Sequence, residues 1–105
     1  MPVPAVLLLR VAAVWPLPGL GLLVLSNGPA PALAAYALHT ALAVEAVLPG
    51  GARRPGMATV EEISRPEAPA PTRGLLLDFG APTDVPADTE IWLVEERSDP
   101  FAGLH

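Results

Sequence analysis

The chain has 105 residues, a formal net charge of −5 and no cysteine. This length fits one domain with one core, and the lack of cysteine excludes disulfides and thiolate metal sites. Apart from Glu45, every acidic residue lies in residues 53–105, and an acidic surface argues against tight, non-specific binding of nucleic acid.

The residue composition favours an all-β fold over a helical bundle. The chain contains 14 Pro and nine Gly. Pro breaks helix interiors and Gly weakens them, whereas both suit the turns between strands. The apolar share of 51% is made mainly of Ala, Leu and Val, so we expect a tight aliphatic core.

Two apolar stretches, residues 3–25 and 30–48, raise the question of a membrane segment. The first has no basic residue ahead of its apolar run and contains Arg10 as well as prolines and glycines, which argues against a signal peptide and a spanning helix. The second is interrupted by a Pro, a His and Glu45. We therefore expect a cytoplasmic protein, with a membrane-associated one as an alternative if the second stretch is helical.

The N-terminal part predicts a hairpin. Residues 3–15 form an apolar run in which period two places Arg10 outward, and we predict one strand there. Residues 16–19 (PLPG) are a turn signal, and residues 20–25 resume the apolar pattern as a second strand. Four turn-forming residues, 26–29 (SNGP), end it.

The Ala-rich middle gives conflicting signals, because Ala and Leu favour helix while two Val around Glu45 favour strand. We predict a loop, with room for one helical turn, to about Ala35, and a strand over residues 39–48. Residues 49–51 (PGG) stop that strand, and residues 53–56 (RRPG) are predicted to be a second exposed turn.

The last part predicts three strands separated by Pro-rich loops. Pro cannot donate to a ladder, so PEAPAP and GAPTDVPAD are predicted to be loops. The predicted strands are residues 57–64, 74–79 and 90–96, which makes six strands in all, in a single domain of residues 1–97 followed by a loose tail of residues 98–105.

Three stretches then carry a resemblance to a known family. The run RVAAVWPLPGLG (residues 10–21) resembles the start of the second domain of elongation factor Tu and related translational GTPases. MATVEEISR (57–65) and RGLLLDFGAPTDVPADTEIWL (73–93) are similar to later strands of that domain. The resemblance implies a six-stranded Greek-key β-barrel. No phosphate-binding GxxxxGK[ST] loop is present in the sequence, so we expect no nucleotide triphosphate and no GTP hydrolysis.

The resemblance also implies candidate ligand-binding residues. In that family a Glu, and an Arg three residues later, help to hold the terminal adenosine of aminoacyl-tRNA. Glu62 and Arg65 keep this spacing, and the alternative register places Glu61 and Ser64 in the same roles. The family also has a basic residue in the Gly-x-Gly turn, where this chain has Leu20, which favours a protein partner over RNA.

No group of residues is arranged for catalysis, so we expect no enzyme and no cofactor. Glu61 and Glu62 are neighbours on a strand and face opposite sides, so they cannot act on one bond. His39 lacks a second His or a Cys for a metal site, and is predicted to be a partly buried or strand-edge residue. Trp15 and Trp92 are predicted to be core anchors rather than stacking platforms.

The sequence predicts a non-enzymatic, stand-alone β-barrel module that binds a protein partner or associates with itself. The first alternative is an RNA-binding accessory that grips a tRNA-like 3′ end through Glu62 and Arg65. The second alternative is the small membrane-associated protein named above.

Overall fold

The computed structural model describes residues 2–64, 66, 70–79 and 84–96, which form one antiparallel sheet of seven strands. The tail predicted for residues 98–105 and the site residue Arg65 lie outside the described residues. The elements in chain order are β1 (Pro2–Arg10), β2 (Ala13–Leu17), β3 (Gly21–Leu25), a 3₁₀ helix (Pro31–Ala35), β4 (Ala41–Val47), β5 (Arg53–Ile63), β6 (Thr72–Leu77) and β7 (Glu90–Glu96).

The order of strands across the sheet is β1-β7-β4-β5-β6-β3-β2. The all-β prediction is confirmed. The prediction of six strands in a closed barrel is wrong in two respects, because there are seven strands and the sheet is open, with β1 at one edge and β2 at the other. The Greek-key connection stays a prediction.

The seventh strand arises because the predicted N-terminal strand changes its partner at Val11 and Ala12. The amide of Val11 donates to the Thr89 carbonyl, next to β7, at 2.8 Å. The amide of Ala12 donates to the carbonyl of Leu25, in β3, also at 2.8 Å. The predicted N-terminal strand is therefore two strands, β1 paired with β7 and β2 paired with β3.

Local chemistry explains the hairpin between β2 and β3. The amide of Leu20 donates to the Leu17 carbonyl at 2.9 Å, with Pro18 and Gly19 between them. Gly19 has φ +78°, which is the geometry of a type II turn, where Pro is favoured first and Gly second. The next residue, Gly21, has φ +134° and lies so close to β6 that a Cβ would stand 1.9 Å from the Leu77 carbonyl oxygen.

The Ala-rich segment forms a strand because tertiary pairing outweighs its helix propensity. β4 pairs with β5 on one side and with β7 on the other, and its residues alternate between buried and partly exposed positions. The helical turn allowed before it is the short 3₁₀ helix.

The predicted exposed turn at residues 53–56 is wrong, because these residues are the start of β5 and pair with β4. Pro55 is tolerated there because β5 pairs with β6 only from Ala58 onward, so the first part of β5 has one neighbouring strand.

The core lies on the inward face of the sheet and is aliphatic, as predicted. Three residues outside the strands complete it: Val11 between β1 and β2, Leu33 from the 3₁₀ helix and Val85 from the segment before β7. Leu33 and Val85 are 0% exposed. The fully buried strand residues of the same cluster are Val24, Ala46, Val60, Leu75, Leu77 and Ile91.

Candidate functional site: a cleft beside the edge of β1

A cleft of about 690 Å³ lies beside the C-terminal half of β1. One wall is formed by residues 7–12, and the opposite wall by residues 26–27 and 29–32. Ala87 and Asp88 complete it. The volume falls in the range of small-ligand and peptide-sized sites, about 300–1,000 Å³.

The first wall is the edge of β1 rather than one of its faces. Side chains of a strand alternate between two faces, so a cleft against one face would be lined by alternate residues. Here six consecutive residues, Leu7 to Ala12, line the cleft. Among the described strands β1 pairs only with β7, so its second edge borders the cleft.

The opposite wall is irregular and well anchored. After β3 ends at Leu25 the chain turns away, and the Ser26 hydroxyl donates to the Gly28 carbonyl at 2.8 Å. Pro29 and Pro31 have no amide hydrogen to offer to β1. Leu33, fully buried in the core, holds this segment in the space between β1 and β6.

A second cleft, of about 420 Å³, lies on the other side of the same segment. It shares Pro29, Ala30 and Pro31 with the first cleft and is bounded by residues 70–73 at the start of β6. β6 pairs with β3 only from Leu75 to Leu77, so its first residues also have an edge without a strand in the described part of the chain.

Three of the predicted site residues, Glu61, Glu62 and Ser64, lie on β5 or directly after it and do not line the first cleft. Glu61 Oε2 lies 2.8 Å from His39 Nδ1, and Glu62 Oε2 lies 3.7 Å from Arg73 Nε. Ser64 is exposed. The two neighbouring acids therefore have separate partners, as the alternation of a strand requires.

Arg73 links this cluster to the segment that separates the two clefts. Its Nη1 donates to the carbonyl of Tyr36 at 2.7 Å, and Arg73 itself lines the second cleft. Glu62 is thereby placed near the rim of the second cleft, whereas Glu61 points to His39.

Three aromatic predictions need correction. His39 is neither buried nor within a strand, because its side chain is 76% exposed and its backbone has φ +67° in the turn before β4. Trp15 is 47% exposed, since it lies on the outer face of β2. Trp92 is half-buried on the outer face of β7, where its Nε1 donates to Glu90 Oε1 at 3.1 Å. A period-two count from the buried Ile91 would have placed Trp92 outward.

Charged side chains around the first cleft are partly neutralised. Arg10 Nη2 donates to Glu90 Oε2 at 2.9 Å, and the Arg10 side chain is 60% exposed. Asp88, which also lines the cleft, has an exposed side chain and a backbone φ of +72°. The cleft thus combines apolar walls, a paired arginine and one exposed carboxylate.

In the part of the chain that the structure describes, no three His, Asp or Glu side chains come together in a way that could hold a metal ion. No helix among those same residues is long and apolar enough to cross a membrane.

Comparison of the chain with protein-family models, with curated protein sequences and with solved structures finds no match. Its function has to be inferred from its own residues.

Proposed function

We propose that the chain is a non-enzymatic binding module whose ligand is a protein, and that it is related to the translation-factor second domain although its sheet is open and has seven strands in the described residues. The observation that carries this proposal is the cleft of about 690 Å³ beside β1. Its walls are mainly aliphatic and proline side chains together with strand backbone, which suit a polypeptide better than a phosphate-bearing ligand.

The charge of the chain supports the same conclusion. The net charge is −5, and the exposed charge at the cleft that has no ion pair among the described contacts is Asp88, a carboxylate. A nucleic acid would have to approach this surface against electrostatic repulsion. The basic side chain at the cleft, Arg10, is already paired with Glu90.

The RNA alternative gains little from the geometry. Its central residue, Glu62, lies beside Arg73, and Arg73 is also bound to the Tyr36 carbonyl, so both groups have partners within the chain. RNA binding through Glu62 is kept as a competing outcome of the test below.

Site-specific photocross-linking tests the proposal. Ala12 is exposed and lines the cleft, and its replacement by benzoylphenylalanine keeps the amide that donates to Leu25. Ala43, exposed on the outer face of β4, is the matched control. After irradiation in native lysate, we expect a protease-sensitive and ribonuclease-resistant adduct from position 12 that is lacking from position 43.

The adduct is then identified by mass spectrometry, and the identified protein is purified and titrated against the purified chain. An adduct of twice the chain's own mass would assign the cleft to self-association. Equal cross-linking from both positions, no adduct from position 12, or an adduct removed by ribonuclease would contradict the proposal.

A further inference from the structure

The backbone of β1 beside the cleft has hydrogen-bonding groups that no described strand faces. Val11 bonds to the β7 side, through its amide to Thr89 and through its carbonyl to the Asp88 amide, each at 2.8 Å. Ala12 bonds to the other side, to Leu25 of β3. Because peptide groups alternate between the two edges of a strand, the amide and carbonyl of Arg10 lie on the same side as those of Ala12.

That side is where β3 has already ended. β3 pairs with residues 13–17 of β2 and makes its last backbone contact at Ala12, and the chain leaves the sheet at Ser26. The cleft therefore occupies the place that a continuation of β3 along β1 would have filled. The register of β1 against β7 shifts between Leu7 and Leu9, so the regular part of the open edge begins at Leu9. From Leu9 to Val11 it runs for about 7 Å, at about 3.3 Å per residue, which is room for about three residues of an added strand.

The facing wall cannot fill this place. Pro29 and Pro31 have no amide to donate, and the buried Leu33 fixes the segment against the core. An exposed strand edge with unpaired amides and carbonyls is a template for a further strand, and backbone pairing of this kind gives affinity while alternate side chains give specificity.

The charge at the cleft favours a ligand segment of positive charge. Asp88, which lines the cleft next to the end of β1, is an exposed carboxylate. The net charge of −5 adds a long-range field of the same sign. A segment with Lys or Arg next to its apolar residues is therefore favoured over an acidic one.

We propose that the occupant of this cleft is an extended peptide segment of a partner protein, with alternating apolar side chains and a flanking Lys or Arg, which adds to the open edge of β1 as a further strand. This inference rests on the proposed function and specifies how the protein partner is held.

The test uses the full chain and a synthetic probe, an acetylated seven-residue peptide of alternating Val and Thr with Lys at both ends. Amide hydrogen exchange is followed by NMR with and without saturating peptide. We expect the exchange of the Arg10 amide to slow by about tenfold, because it gains a hydrogen bond. The adjacent amide of Val11, already donated to Thr89, is the internal control and is expected to be unchanged.

Two matched comparisons sharpen the test. N-methylation of the probe at alternate residues gives two variants, and we expect one to lose at least about tenfold in affinity and the other to lose little, since only one set of amides faces β1. Asp88→Asn, which keeps a residue tolerant of positive φ, is expected to weaken the Lys-ended probe about threefold at low salt. Glu45→Gln removes the same charge on β4, outside the residues that line the cleft, and is the control.

Failure to bind at millimolar peptide, binding that leaves the Arg10 amide unchanged, or equal effects of the two N-methylated variants would each overturn strand addition. A protein adduct from position 12 would then still stand, so the proposed function and its mode of binding fail separately. Loss of that adduct would remove both.

Discussion

The two connections at the two ends of β3 differ in how they treat the neighbouring strands. At the start of β3, the Pro18–Gly19 turn and Gly21 bring β2, β3 and β6 into close backbone contact. At the end of β3, the chain leaves the sheet through prolines and a 3₁₀ helix, and clefts open on both sides of that segment. At the first end the strands pack closely through their backbones, whereas at the second end the connecting segment is held by one buried side chain, Leu33. We therefore expect stability to depend on close backbone packing at the first end and on one buried side chain at the second.

Gly21→Ala is expected to have the largest effect on stability, since Gly21 lies at the end of β3 where the strands are in close backbone contact. Gly21 has φ +134°, and a Cβ there would lie 1.9 Å from the Leu77 carbonyl oxygen. We expect a loss of about 4 kcal/mol in the free energy of unfolding, because backbone strain and displacement of β6 act together. Urea denaturation measures it.

Two other glycines are matched controls for that substitution. Gly19 also has a positive φ, +78°, but open space around it, and Gly50 has neither constraint. We expect about 1 kcal/mol for Gly19→Ala and less than about 0.5 kcal/mol for Gly50→Ala. Equal effects at Gly21 and Gly19 would show that the close approach to β6 is unimportant.

Leu33→Ala tests the side-chain anchor at the open end. Leu33 is 0% exposed, and its truncation leaves a cavity, so we expect a loss of about 3 kcal/mol in urea denaturation. The exposed Leu38, in the following turn, is the control, and Leu38→Ala is expected to change stability by less than about 0.5 kcal/mol. An unchanged stability of Leu33→Ala would mean that the segment is held by other contacts.

Thr89→Val tests the corner where the N-terminal segment meets β7. The hydroxyl of Thr89 is fully buried and donates to the Pro86 carbonyl at 2.6 Å. Val has nearly the same shape but no donor, so we expect a loss of about 1 kcal/mol. Thermal unfolding followed by circular dichroism measures it, and Thr59→Val, at a partly exposed position of β5, is the control.

The Arg10–Glu90 ion pair is expected to contribute least to stability. The two side chains are 60% and 29% exposed, so solvent screens their attraction. A double-mutant cycle of Arg10→Ala and Glu90→Ala is expected to give a coupling free energy below about 0.5 kcal/mol. A coupling above about 1 kcal/mol would contradict the view that this wall of the cleft is held by backbone pairing rather than by charge.

Sequence patterns predicted the elements whose signals are local. The final strand, Glu90–Glu96, was predicted at its observed bounds, and the turn at Pro18–Gly19 follows from turn chemistry alone. The start of β5 was missed because the exposed appearance of Arg53, Arg54 and Pro55 is also compatible with a strand that has one neighbour.

The cleft could not be predicted, for a different physical reason. It depends on where β3 stops relative to β1, and on the pairing of β1 with β7, whose residues Arg10 and Glu90 are 80 positions apart. Neither the composition nor the periodicity of a sequence shows which distant strands pair. The predicted pair Glu61 and Glu62 was located correctly on a strand, but their partners come from distant parts of the sequence, His39 from the turn before β4 and Arg73 from β6.

The pairing of β1 with β7 also constrains how the chain reaches its native state. The β4–β5 hairpin joins residues close in sequence and can form early, whereas β1 must wait for the last strand of the sheet. During synthesis on the ribosome, the nascent β1 therefore has both edges uncovered until residues 90–96 have emerged. Because β1 and β7 are far apart in sequence, we expect their pairing to be the slow step of folding. Until they pair, β1 is an apolar strand with exposed edges, to which chaperones or other unfolded chains can bind.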